Sequence, residues 1–411
     1  MVETTGTADV VVVGGGIAGS ALATVLAREG RDVLLLEKET AYRDKVRGEF
    51  LSCWGVEEAL RLGLEDVLLG AGGGYATRMA FYDENSPGAL GEAAAVPLDE
   101  LLPGVPGALD VGHPQACEAL IGAAAAAGAR VVRGIRPVDV TPGEPPAVRY
   151  VDAAGAAHSV VSRLVVGADG RQSGVRRAAG IDLEVGTPRT MGGGMLVDGL
   201  ADWPADRAAL GTEGDLYYLM FPRANGRARL YLLHDVRQRG RFAGPDRAEA
   251  FLRAYQLDCI PDSGRFGAAT PAGPCAFYPM TDSWTVQDPV APGVVLVGDA
   301  AGWNDPVIGQ GLAIALRDAR TVAELVLAGE GLEPYVAERR ERMRRLRISA
   351  AVVTDMSCTF TPEGAARRAA YGAARSDPVL GGPRMAVMVG PERMPAEAFE
   401  ARTVARIRAL A

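Results

Sequence analysis

Three carboxylates in this 411-residue chain stand within three residues of the end of a short apolar run. Glu37 follows Asp32–Leu36, Asp169 follows Leu164–Val166, and Asp299 follows Val294–Val297. The second and third runs have glycine at their ends, and a carboxylate placed beside the end of a strand can accept hydrogen bonds from the hydroxyls of a bound molecule. The first run is the most explicit. Val10–Val13 reads as a strand buried on both faces, and Gly14, Gly16 and Gly19 follow it in G-x-G-x-x-G spacing. The first glycine permits a tight turn, the second lets backbone approach a pyrophosphate, and the third lets helix pack on strand. Ile17 to Arg28 then reads as a small-residue helix whose free N–H groups point at phosphates. Glu37 lies 18 residues past Gly19, where it can accept two ribose hydroxyls but would repel a 2′-phosphate. The dinucleotide half is therefore the ADP moiety of FAD or NAD, with Gly14, Gly16, Ile17, Ala18, Gly19, Glu37 and Lys38 as its binding residues.

The elements that position these groups belong to an ordinary globular chain, 48% hydrophobic and 23% charged. A net charge of -8 and a pI near 5.2 leave no electrostatic footprint for nucleic acid or an anionic membrane. Lys38 and Lys45 are the only lysines, which excludes lysine chemistry elsewhere. Residues 1–8 lack the pattern of a signal peptide and no uncharged apolar run reaches transmembrane length, so a cytoplasmic location is expected. Cys53, Cys117, Cys259, Cys275 and Cys358 are scattered and read as reduced structural thiols, with no metal site.

In chain order, Arg47-Gly48-Glu49 precedes a helical pattern from Trp54 to Leu62, and Arg47 is placed to reach back toward a pyrophosphate. Thr77–Tyr82 reads as a strand and Pro87–Pro106 as a long loop. His113 and Gln115 sit at the start of an alanine-rich helix within Asp110–Ala129. Asp169-Gly170 marks a sharp turn into a helix led by Ser173. Gly298-Asp299 marks another turn, where the carboxylate can hold a ribityl hydroxyl. Gly309-Gln310-Gly311, with Leu312, opens an amphipathic helix through Arg320 whose N-terminus can stabilise negative charge developing on a flavin ring. Tyr335 to Ile348 continues as helix, with dense arginines on an expected solvated face.

Gly14-x-Gly16-x-x-Gly19, Ala168-Asp169-Gly170, and Gly298-Asp299 with Asp305-Pro306 and Gly309-Gln310-Gly311 together resemble the single-component FAD-dependent aromatic hydroxylase family. Its wider superfamily also holds flavin halogenases, geranylgeranyl reductases and epoxidases. The likeness spans residues 8 to about 325. It implies an α/β fold: a glutathione-reductase-like FAD domain with a parallel Rossmann core, assembled from residues 8–80, 107–185 and 288–328. A mostly antiparallel substrate sheet, residues 81–106 and 186–287, is inserted, and 329–411 form a helical C-terminal region. Carried over, Glu37 binds the adenosine ribose, Arg47 approaches the pyrophosphate or ribityl chain, and Asp299 contacts the ribityl chain. Asp169-Gly170 is the family's dual FAD and nicotinamide fingerprint. His113 departs from the Arg or Gln common at that place. Pro306, Gly309, Gln310 and Gly311 border the reacting flavin edge, and Trp303, Asn304 and Asp305 precede it as pocket candidates.

Asp215–Phe221 and Arg229–His234 read as strands of the substrate sheet joined by a hairpin. Alternation puts Tyr217, Leu219 and Phe221 on one face and Leu216, Tyr218 and Met220 on the other. Tyr217, Phe221 and His234 are substrate candidates; His234, Tyr217 and Asp305 are alternative groups to take a phenol proton, and the residues alone do not choose. The resemblance implies a monooxygenase in which NADPH or NADH reduces FAD and O₂ adds at flavin C4a. The hydroperoxide then hydroxylates or epoxidises a small hydrophobic aromatic or polyketide-like molecule, in secondary metabolism. The alternatives are a reductase of the geranylgeranyl-reductase type, a halogenase, or a flavin-binding subunit without turnover. The halogenase reading lacks its W-x-W-x-I-P segment and its lysine. A monomer or homodimer is expected.

Overall fold

The computed structural model describes residues 4–410, and its central sheet explains why the three glycine-marked turns belong together. Strands run in the order Val290–Ala291, Val294–Leu296, Ala157–Gly167, Thr4–Val13, Val33–Glu37, Arg130–Arg133. All neighbours are parallel except the Val290–Ala291 edge. Register places Val13 beside both Leu36 and Gly167, and Gly167 beside Leu296. The backbone N–H groups of Gly14, Ala168 and Val297 then bond the carbonyls of Leu36, Val13 and Gly167 at 2.8, 2.8 and 2.9 Å. Turns separated by more than a hundred residues of sequence thus emerge side by side at the carboxyl ends of the strands, where open α/β sheets bind ligands.

The Val10–Val13 run is buried on both faces, as its composition predicts. Val10 and Val12 pack with the helices Ile17–Arg28, His113–Ala126 and Gly311–Ala328, while Val11 and Val13 pack against Val148, Tyr150 and Val160. The apolar run Leu164–Val166 is the end of a longer strand, Ala157–Gly167: Ser162 and Arg163 interrupt the apolar pattern without interrupting the ladder.

The second sheet runs Thr270–Pro271, Thr190–Asp198, Arg227–Asp235, Leu216–Arg223, Arg207–Glu213, Arg78–Phe81, Val96–Pro97. The strand Arg78–Phe81 is hydrogen-bonded into this inserted sheet, and the expected loop 87–106 contains a short helix, Ala89–Ala93, and the edge strand. Asn225 and Gly226, both at positive φ, turn the hairpin so that Arg223 pairs with Arg227. One face carries Leu216, Tyr218, Met220, Leu230 and Leu232 into a separate core with Phe251, Tyr255 and Phe266. The other carries Tyr217, Phe221 and Leu233 into the same core as the cofactor-side helices. The C-terminal helix Glu333–Ser357, followed by Pro362–Ala373, Gly382–Val389 and Ala401–Arg408, closes the end of that shared core, to which Val389, Met385 and Met388 contribute. No helix among the described residues is long and apolar enough to cross a membrane.

Candidate functional site

The first turn has the geometry its glycines require. Gly14 has φ +106°, and a Cβ there would lie 2.4 Å from the Ala168 carbonyl oxygen. A Cβ on Gly19 would lie 1.9 Å from the Gly14 oxygen, whereas one on Gly16 meets nothing within 4 Å. Two of the three glycines therefore hold helix and strands together, and the space beside Gly16 is open. Ile17 and Ala18 begin a helix with no side-chain cap. Glu37 is buried; its Oε2 accepts from the Gly15 N–H at 2.6 Å and its Oε1 from the Glu39 N–H at 2.7 Å, while Lys38 is exposed. Tyr42, unremarked in the sequence, donates its hydroxyl to the Gly15 carbonyl at 2.5 Å, with the Arg133 guanidinium 5.0 Å over its ring.

At the second turn Asp169 accepts from the Ser173 hydroxyl and from the Gly174 N–H at 2.7 Å, and Ser173 caps the N–H of Arg176 at 2.9 Å. The Asp169 carboxylate thus fixes the turn that exposes Gly170, which has φ +77°. Arg171 bridges to the third turn, its Nε 3.2 Å from Asp299 Oδ2 and its guanidinium 5.0 Å over the Trp303 ring.

Beneath the third turn lies a group missed in the sequence. Asp318 is fully buried, and its Oδ2 accepts from the Gly298 N–H at 2.8 Å and from Arg339 at 3.0 Å, its Oδ1 from Arg342 at 2.6 Å. Arg339 also donates to the carbonyls of Gly298 and Gly302 at 3.2 and 2.9 Å. Burial alone would raise the Asp318 pKa, but the two guanidinium groups reverse this and hold it below the usual carboxylate range. The expectation of a solvated arginine face is corrected here: Arg339 and Arg342 are 6% and 3% exposed, because they anchor the Gly298-Asp299 turn from below.

Asp305 caps the Val307 N–H at 3.0 Å and leads Pro306 through Ile308 to Gly309 at φ +62°. Burial raises the Asp305 pKa. Gln310 is fixed on three sides: its Oε1 accepts from Trp54 Nε1 at 2.7 Å and Ser52 Oγ at 3.3 Å, and its Nε2 donates to the Ile308 carbonyl at 2.7 Å. Gly311 opens the following helix without a side-chain cap; Leu312 is buried, and a Cβ on Gly309 or Gly311 meets nothing within 4 Å. Buried Glu58 ties this helix to Cys53–Arg61 through Arg317 at 2.5 Å and Arg320 at 2.6 Å. Trp303 donates its indole N–H to the Thr281 carbonyl at 2.9 Å. Asn304 Oδ1 accepts from the Asp305 N–H at 2.8 Å, and its buried Nδ2 has no partner among the described residues.

His113 lies within electrostatic reach of Arg47 and Asp299; burial, aided by Arg47, brings its pKa down to about 4, so the imidazole is neutral at physiological pH. Arg47 is exposed, and its carbonyl accepts the Tyr231 hydroxyl at 2.5 Å. Tyr217 and Phe221 lie on the inner face of the inserted sheet, Phe221 stacked 4.8 Å from Phe50. His234 does not join them. Tyr217 pairs with Leu233 and Phe221 with Arg229, so the odd residues of that strand share the inner face, and His234 points the other way, its ring 5.6 Å from Phe242 and 5.7 Å from Phe277.

Between Arg47 and this sheet lies a second buried charged group that composition does not reveal. Arg229 donates to Asp44 at 2.6 Å and Glu49 at 3.0 Å, and Arg223 to Glu49 at 3.1 Å. Asp110, at the end of the strand Ala108–Asp110, is 2% exposed with both oxygens unpartnered among the described residues, and burial raises its pKa well above normal. Its folded-state pKa exceeds its unfolded one, so the stability this proton confers is complete below the unfolded pKa of about 3.9 and is lost as pH rises toward the folded pKa. Asp110→Asn is accordingly expected to stabilise the protein by about 1–3 kcal/mol at pH 7. In urea titrations the gain should shrink toward zero near pH 4, and a variant less stable than the parent at pH 7 would contradict this reading.

The unfilled space at Gly16, Gly309 and Gly311, two uncapped helix starts at one sheet edge, and the carboxylates of Glu37 and Asp299 suit the phosphates, ribose, ribityl chain and ring of FAD. Comparison with known proteins agrees. Residues 7–349 match the family described as FAD binding domain. The chain is 30% identical over 354 residues to a menaquinone reductase of Mycolicibacterium smegmatis, covering 80% of this chain and 78% of that protein. It is 26% identical to digeranylgeranylglycerophospholipid reductase 2 of Methanococcoides burtonii, covering 77% and 74%. Among solved structures, its fold is similar to that of p-nitrophenol 4-monooxygenase PnpA from Pseudomonas putida, with a TM-score of 0.74 at 19% identity over 95% of this chain and 100% of that one. The chain belongs to the FAD binding domain family and is an FAD-dependent oxidoreductase.

Proposed function

We propose that the protein is a monooxygenase that uses NADPH or NADH and O₂ to hydroxylate or epoxidise a small hydrophobic molecule, aromatic or polyketide-like. The observation that carries this reading is the aromatic inner face of the inserted sheet, Tyr217 and Phe221 with Phe50, sharing one core with Val307, Ile308 and Leu312 of the flavin-side turn. When bound, FAD supplies electron transfer from the nicotinamide and activation of oxygen. The chain's own part is positioning and electrostatics. The Gly311 helix start favours negative charge placed against it, and Gln310, held by Trp54 and Ser52, keeps that start in place. The aromatic face orients an apolar ring and excludes water. Asp305, whose pKa is raised by burial, is the group suited to take a substrate proton, since His234 faces away and burial keeps the Tyr217 phenol neutral.

A second reading, reduction of an isoprenoid double bond, is favoured by the names of the two relatives matched over most of their length, both reductases. One experiment separates the two. The FAD-loaded protein is reduced anaerobically with NADPH or NADH, then mixed with oxygenated buffer. A transient absorbance at roughly 370–390 nm before oxidised flavin returns supports oxygenation. Direct return to oxidised flavin, with anaerobic consumption of an isoprenoid alkene, supports the reductase.

A further inference from the structure

The third turn has a reverse side, and a cavity of about 200 Å³ lies against it. One wall is the segment from Trp284 to Pro289. The other is a stripe of the helix Glu333–Ser357, in which Val336, Arg339, Arg340, Met343 and Arg347 follow the three- and four-residue spacing of one helix face. Ala301, of the turn itself, also lines it. The first wall is pinned. The Val286 N–H donates to the Asp182 carbonyl at 3.0 Å, Gln287 exchanges two hydrogen bonds with Asp182, and the Pro289 carbonyl accepts from the Leu296 N–H at 2.8 Å. A ligand therefore meets a preformed space, many times larger than a single water needs.

The lining carries three guanidinium groups and one carboxylate. Arg340 takes that carboxylate, Asp288, at 2.5 Å on the exposed rim. Arg339 uses Nε and Nη2 on Asp318 and on the carbonyls of Gly298 and Gly302, and its Nη1 donates to none of the described residues. Arg347 is half-buried and makes neither a hydrogen bond nor an ion pair among the described residues; its guanidinium carbon lies 5.8 Å from the centre of the Trp284 ring. Burial holds its pKa below the ordinary guanidinium value, with Asp282 acting against that shift and Arg339 with it. A guanidinium keeps its proton at physiological pH all the same. The cavity thus sets positive charge without a bonded counter-charge beside the apolar surface of Met343, Val336 and Trp284. Guanidinium N–H groups match the paired oxygens of a carboxylate or a phosphate, and an apolar wall favours a carbon body over a bare ion.

We propose that this cavity is a second ligand site, apart from the flavin cradle, for a small organic oxyanion, a carboxylate or a phosphomonoester. Arg347 receives the charged head at the Trp284 wall, Arg339 Nη1 adds positive charge, and a short apolar body lies against Met343 and Val336. Arg339 makes the site the back of the Gly298-Asp299 turn, since the same guanidinium holds the carbonyls of Gly298 and Gly302. Nothing in it depends on whether the bound flavin oxygenates or reduces.

The test is calorimetric titration of the FAD-loaded protein, without reductant and at low ionic strength, with butyrate and n-butyl phosphate and with their uncharged mates butyramide and 1-butanol. At least one anion is expected to bind about tenfold or more tighter than its mate, and which one does so names the head group. Two variants locate the binding. Arg347→Gln removes the unpaired cation, and Val286→Glu puts a negative charge on a rim residue that is 55% exposed and so bears little on folding. Each should bring the anion to within about threefold of its mate, and Arg347→Lys should recover part of the difference. The proposal is overturned if neither anion outbinds its mate in the parent protein, or if the preference survives in Arg347→Gln. Should Arg347→Gln fail to fold or to retain FAD, Val286→Glu decides in its place. Inorganic phosphate binding as tightly as n-butyl phosphate would overturn the apolar half of the assignment and leave an ion site only.

Discussion

Asp318→Ala is expected to be among the most damaging single substitutions in the chain, costing about 3–5 kcal/mol and most of the bound FAD. Removing this carboxylate leaves Arg339 and Arg342 buried with half their neutralising charge gone, and takes from the Gly298 N–H its side-chain acceptor. Asp318→Asn keeps the shape but not the charge, so it should recover little. The sign of the pH dependence follows from the lowered Asp318 pKa: the stabilisation is present above the unfolded carboxylate value and lost as pH falls through the folded one. Urea midpoints, together with flavin content after gel filtration, provide the check. Arg340→Ala is the control, because its pair with Asp288 is exposed and its loss should change stability by no more than about 0.5 kcal/mol. If Asp318→Ala matched the parent in both measurements, the buried pair would not be what holds the third turn.

Two glycines of the first turn should separate folding from cofactor binding. A side chain at Gly19 would place its Cβ 1.9 Å from the Gly14 oxygen, a backbone atom that cannot yield without breaking the strand-to-helix turn. Gly19→Val should therefore lower stability by about 3 kcal/mol or more, with FAD lost as a consequence. A Cβ at Gly16 meets no protein atom within 4 Å, so the Gly16→Val apoprotein should fold as the parent does while FAD affinity falls by about a hundredfold or more, equivalent to about 2.8 kcal/mol. Circular dichroism and thermal unfolding of the two apoproteins, followed by FAD titration, would show this split. Equal FAD affinity in Gly16→Val and the parent would place the pyrophosphate elsewhere.

These expectations also show which parts of the site are written locally. The helix Ile17–Arg28 matches its expected bounds, because a glycine turn and an uninterrupted small-residue run are signals carried by neighbouring residues. The alternation of Tyr217 against Tyr218 is local in the same way. The facing of His234 is not, since it depends on the register between two strands, and that register is set by the hairpin turn at Asn225-Gly226. Asp318, Arg339 and Arg342 escape notice for a related reason. Each sits in an arginine-rich or amphipathic helix, where charge ordinarily marks the wet face, and only the packing of one helix on another reveals that these three point inward. Asp110 reads as the start of a helix, but it closes a three-stranded sheet with Phe50 and Gly74, and the helix begins at His113.

The order of strands in the central sheet bears on how the protein is made. The amino-terminal strand must wait for its neighbour Ala157–Gly167, which in turn waits for Val294–Leu296, and the turn beyond that is held only when Arg339 and Arg342 arrive. A ribosome must therefore pass Arg342 before the flavin cradle can close, whereas the hairpin Leu216–Arg223 and Arg227–Asp235 can form as soon as it emerges. FAD is captured only after the helix carrying Arg339 and Arg342 has been made, so scarcity of the cofactor acts after that point in synthesis. The apolar strand Thr4–Val13 gains Val33–Glu37 on one edge early, but its other edge stays open until Ala157–Gly167 is made, and that open edge is what chaperones have to protect.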